Sequence, residues 1–110
     1  MEHHAVVPIA SVAGELLDQA REQHSRRAAR TLASTTSIRA TVIALASGAV
    51  MADHDAPPAA TLQVITGRVR LHTADHEWTL DAGELVPIPP QRHGLDALED
   101  SAVLLTVALR

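Results

Sequence analysis

The sequence has no cysteine, no phenylalanine, no tyrosine and a single tryptophan, Trp78, and all nine of its basic residues are arginine. Without cysteine there is no disulfide, no thiolate metal site and no cysteine nucleophile. Without lysine there is neither Schiff-base chemistry nor a Gly-Lys-Ser/Thr phosphate loop, and the five glycines are scattered rather than gathered into one loop. No Gly-x-Ser-x-Gly elbow is present to hold a nucleophilic serine. The scarcity of aromatic faces argues against stacking on bases, sugar rings or flat heterocycles. The one basic cluster, Arg26, Arg27 and Arg30, sits in a chain of net charge -4, so nucleic acid is not an expected partner. No apolar run approaches the ~18 residues of a membrane span. The start, Met1-Glu2-His3-His4, lacks the basic and apolar blocks of a secretory signal, so no membrane association and a cytoplasmic location are expected.

What is present is the composition of one small domain: 110 residues, 46% hydrophobic and 20% charged. A domain of this size buries somewhat under ~70% of its unfolded surface, enough to fold without metal or disulfide staples. Residues 1–110 are expected to form a single domain, with an arm at 1–35 and a β core at 36–110. In the arm, Ser11 reads as an N-cap, and Val12, Ala13, Leu16, Leu17 and Ala20 share one helical face. This predicts one helix of ~11 to 14 residues packed as a brace on the outside of a sheet.

After Arg30 the pattern changes to short, β-branched runs at Thr31 to Ala33, Ile38 to Ala46, Thr61 to Thr66, Arg68 to Thr73, Glu77 to Leu80, Glu84 to Ile88 and Ala102 to Leu109. Turn signals such as Ser47-Gly48, Pro57-Pro58, Thr66-Gly67, Ala82-Gly83 and Pro89-Pro90 separate them. Many short strands closed by Gly and Pro turns predict an all-β antiparallel sandwich or barrel of the jelly-roll kind. Alternation then assigns faces. Val69 and Leu71 must face the core, because burying Arg68 and Arg70 unpaired costs several kcal/mol, and His72 therefore points outward. Ala60, Leu62 and Val64 share one face and Thr61, Gln63 and Ile65 the other, with either face open to being the barrel lining on parity alone.

The histidines fall in a recognisable spacing. Gly48 is followed after five residues by His54, then by Ala56, Ala60 and, six residues later, Gly67. Further on come Gly83, Pro89, Gln91 and His93. The chain from about Ile38 onward, including the stretch Leu62-Gln63-Val64-Ile65-Thr66-Gly67-Arg68-Val69, resembles the small single-domain cupins of the RmlC-like jelly-roll family. The family's first motif carries a second His where this chain has Ala56 and a Glu where it has Ala60. Its second motif has Gly where Gln91 stands, places the His one residue later than His93, and ends on an Asn that is missing here. The resemblance implies a conical barrel with an interior metal held by three His and one Glu, in oxygenase, isomerase, decarboxylase or purely binding roles.

Only His54 and His93 of that ligand set remain, whereas a catalytic zinc wants about three protein ligands and a non-haem iron two His plus a carboxylate. Asp53 and Asp55 flank His54 at odd offset and should face away, and His3, His4, His24, His72 and His76 read as solvated. The expected pocket comprises His54, Ala56, Ala60, Leu62 and His93, with Arg92 at the mouth and Trp78 as a core or lining residue; Met51 reads as packing. The leading expectation is a small-molecule-binding barrel with a degenerate site and no cofactor or only a weakly bound divalent transition metal. The alternatives are a metal-dependent enzyme with His54 and His93 as ligands, and a structural or partner-binding barrel. A homodimer is expected as well, through an outer apolar face carrying Ile43, Leu45 and Ile65 together with extra strand at Ala5 to Ile9 and Ala29 to Ala33.

Overall fold

The computed structural model describes residues 5–109, so the surface positions expected for His3 and His4 lie outside the described residues. Among these described residues one helix, α1 (Ile9–Glu22), is followed by nine strands: β1 (Arg27–Ser34), β2 (Ile38–Leu45), β3 (Val50–His54), β4 (Ala59–Thr66), β5 (Arg68–His72), β6 (Glu77–Asp81), β7 (Leu85–Pro87), β8 (His93–Ala97) and β9 (Ser101–Ala108). They pair antiparallel into a five-stranded sheet in the order β1-β2-β9-β4-β7 and a four-stranded sheet in the order β3-β8-β5-β6, the two packed face to face as a jelly roll.

Between the sheets lies the main core: Leu45, Leu62, Val64, Val69, Leu71, Leu80, Leu95 and Val103, all buried. A second apolar layer lies outside the five-stranded sheet, where Val12, Ala13, Leu16, Leu17 and Ala20 of α1 cover Val42, Ala44, Ala46 and Ala102. The helix is the brace its periodicity predicts. Its start differs: the N-cap is Pro8, whose constrained φ of -78° suits a helix entrance, and Ser11 lies inside the first turn. Because the helix already begins at Ile9, Ala5 to Ile9 is not a strand.

The double burial of β2 also corrects the outer apolar face. Val42 and Ala44 turn toward α1 while Ile43 and Leu45 turn into the barrel, 9% and 0% exposed, and Ile65 packs half-buried beside the helix layer. These residues therefore form no exposed patch for a partner to cover. Reading parity on β2 fails for a physical reason: its second half, Val42 to Leu45, is buried on both faces and apolar at every position, so alternation there carries no sign. β3 and β8 are further differences. Neither reads as a strand in isolation, since Val50-Met51-Ala52-Asp53-His54 and His93-Gly94-Leu95-Asp96-Ala97 mix strand-forming residues with Ala, Asp and Gly. Among the described residues, no helix is long and apolar enough to cross a membrane.

Candidate functional site

Both motif histidines sit on the four-stranded sheet and face one another across the β3–β8 ladder, His54 pairing with His93. The register there shifts between Met51 and His54: Met51 pairs with Leu95, and the next pair, His54 with His93, is three residues on along β3 but two back along β8. This bulge matters, because strict alternation would place His54 on the face opposite Met51. With one extra residue inserted, both point into the barrel, and Asp53 is left outside, its Oδ1 3.8 Å from His72 Nδ1.

The two imidazoles meet edge to face, centroids 4.4 Å apart and planes at 64°. His93 is buried at 5% exposure, whereas His54 lies at the exposed rim. Each ring folds back on the carbonyl two residues before it: His54 Nδ1 lies 3.1 Å from Ala52 O and His93 Nδ1 2.9 Å from Gln91 O. A carbonyl only accepts, so Nδ1 is the protonated nitrogen in each ring, and in the neutral form each Nε2 carries a free lone pair.

A cavity of about 30 Å³ adjoins the pair, walled by Ile43, Met51, Leu62, Leu71, Ile88, Leu95 and Leu105 besides the two histidines. His54, Leu62 and His93 of the expected pocket meet here. Ala60 is on the same face of β4 as Leu62 but does not line the cavity, nor does Ala56 in the segment between β3 and β4. Arg92 is outside it as well. Its guanidinium donates to Asp53 O at 3.0 Å and reaches Asp55 at 3.5 Å, tying the end of β3 to the start of β8. Trp78 packs half-buried against the core, stacks on His76 at 5.9 Å, and lines a separate hollow with Leu80, Glu84 and Leu85. The aliphatic liners from β2, β5, β8 and β9 are absent from the expected pocket; on β5, the inward parity of Leu71 is the signal that marks one of them.

Outside the barrel wall, His72 Nε2 lies 3.4 Å from Asp96 Oδ2, which also accepts from Arg70 Nη2 at 2.6 Å. The hydrogen bond from Arg70 to Asp96 holds the guanidinium's pKa above its ordinary value. Gly94 leaves room for this outer layer, since a Cβ there would meet Asp53 Oδ1 at 2.5 Å and His72 Cε1 at 2.7 Å.

The donor set can be weighed against the metal that the barrel resemblance implies. Two imidazoles line the cavity, alanines stand at the other two ligand positions, and no group of three or more His, Asp or Glu among the described residues converges on one point. No carboxylate offsets the charge of a divalent ion there. These residues do not fit a tightly held transition metal.

No family model matches the sequence, and no curated protein matches it. Solved structures do match. A cupin superfamily protein from Desulfitobacterium hafniense superposes with a TM-score of 0.78 at 12% identity, over 100% of this chain and 95% of that one. A conserved protein of unknown function from Streptococcus pyogenes gives 0.75 at 21% identity, over 100% and 91%. Salicylate 1,2-dioxygenase from Pseudoaminobacter salicylatoxidans gives 0.73 at 15% identity, over 90% of this chain but 32% of that one. At these identities the likeness is one of fold: with its two antiparallel sheets packed face to face, this chain has the jelly-roll fold of the small RmlC-like cupins.

Proposed function

We propose that the barrel binds a small organic molecule by presenting two hydrogen-bond acceptors, His54 Nε2 and His93 Nε2, to a hydroxyl or amine of the ligand, with no resident metal. The observation that carries this reading is the pair of carbonyl contacts at Ala52 and Gln91, which commit both Nδ1 atoms as donors. Neutral imidazoles held this way accept; they do not donate to a ligand carboxylate. The aliphatic walls exclude water from the group that enters, which strengthens a hydrogen bond made there.

NMR titration with propanol and propylamine is expected to shift the ring signals of His93 and His54, and propionate at the same concentration is expected not to. His93→Leu, which keeps the volume and removes the acceptor, should abolish the response. A transition metal at near one equivalent in protein purified without a His tag, with chelation lowering Tm by many degrees, would overturn the metal-free reading. It would favour the second one, a metal-dependent enzyme using His54 and His93 as ligands, which draws on the same exposed lone pairs.

A further inference from the structure

A cavity of about 30 Å³ takes a terminal group, not a metabolite, since whole-ligand sites run to roughly 300–1,000 Å³. A second hollow of about 340 Å³ lies beside it, and Ile43 and Met51 wall both. Its origin is topological. β1 is an edge strand of the five-stranded sheet, which has one strand more than the four-stranded sheet. Arg27, Ala29 and Thr31 pair with Leu45, Ile43 and Thr41 on β2 and so share the face that elsewhere is barrel interior, yet all three are exposed. Ser25, Arg27, Ala29 and Thr41 line this hollow.

Charge completes the picture. Arg21, Arg30, Arg68, Arg70 and Arg92 each meet a carboxylate, whereas Arg26, Arg27 and Arg39 are in no ion pair among the described residues, and of these three Arg27 lines the hollow. Arg27 lies on β1 opposite Leu45, two residues or roughly 7 Å along the strand from the Ile43 position. Met51, an unbranched thioether that repacks easily, forms the partition between hollow and cavity.

We propose that the hollow and the cavity are two parts of one binding site for a short aliphatic carboxylate bearing a hydroxyl or amine at its far end. The carboxylate pairs with Arg27, the chain crosses Ala29 and Met51, and the terminal donor reaches His54 and His93. This deepens the reading of the cavity given above and rests on it.

The test is calorimetric and NMR titration of the full chain with ω-hydroxyhexanoate, hexanoate and the matching diol. The parent protein is expected to bind the hydroxy acid about tenfold more tightly than either control, a charge-assisted bond at one end adding to the donor at the other. Arg27→Gln, at an exposed residue with no ion pair to lose, should remove about tenfold for the hydroxy acid and leave the diol unchanged. Two results overturn the proposal while leaving the cavity reading intact. One is a diol that shifts the His93 signals while Arg27→Gln leaves hydroxy-acid affinity unaltered. The other is a second copy of the chain covering Arg27 and Ala29, seen as a dimer by sedimentation with those amides protected from exchange. Absence of any ligand response at either histidine overturns both readings.

Discussion

Gly67 has φ +90°, in the left-handed region, and its Cα faces the backbone of Asp100 and Ser101 so closely that any side chain collides with Asp100 O and Ser101 Oγ. Ser101 is buried beside it, its hydroxyl accepting from Arg68 N–H and placed 2.7 Å from Glu99 O. Gly67→Ala is therefore expected to cost about 2 kcal/mol or more, read as a lower urea midpoint. Next to it, the Asp100 carboxylate accepts a 2.7 Å hydrogen bond from the Ser47 backbone N–H and a 2.9 Å one from Arg21 Nε. These bonds, the Ser47 one first, hold its pKa below the ordinary 3.8. The unfolded chain thus takes up the proton before the native one does. The stabilisation is complete above the ordinary 3.8 and disappears as pH falls through the lowered native value. Asp100→Asn should therefore show a smaller drop in urea midpoint than the parent between about pH 6 and about pH 3.

At the scale of elements, α1 shows how local pattern and packing agree. Its buried residues recur on one face, and Leu16, 1% exposed, packs between the helix and the outer face of β2 and β9. Leu16→Ala should lose about 2–4 kcal/mol by denaturant unfolding, the cost of a cavity in a layer with little means of collapse. β3 is the opposite case. Its bulge brings His54 to the cavity, and the only sequence trace of it is the odd spacing between inward Met51 and inward His54. β8 likewise holds Gly94 and Asp96, which weaken an isolated strand. It is held by pairing with β3 on one side and β5 on the other.

For the molecule as a whole, the jelly roll survives without the ligand set that its spacing resembles. Both sheets close over aliphatic side chains. Restoring the missing donors is then a test of how far geometry has kept to the spacing. Ala56→His with Ala60→Glu, beside His54 and His93, is expected to raise affinity for zinc or nickel at least tenfold over the parent, measured by titration calorimetry. A folded double variant with no gain would show that His93, one residue early in its motif, aims its Nε2 away from the point where the other donors meet.

The sequence by itself determined the small all-β jelly roll, the helix face, the inward side of β5 and the motif spacing that singles out His54 and His93. These follow from signals each residue carries alone: apolar or polar, β-branched or not, glycine or not, at fixed intervals. Only the tertiary structure decided which face of β2 lines the barrel, because along Val42 to Leu45 α1 buries one side and the second sheet the other, leaving no polar residue in that half of the strand to mark it. It also decided the bulge that aims His54, the carbonyls that fix both tautomers, and the exposure of the inward-parity face of β1. Each of those depends on partners distant in the chain, whose positions no local pattern encodes.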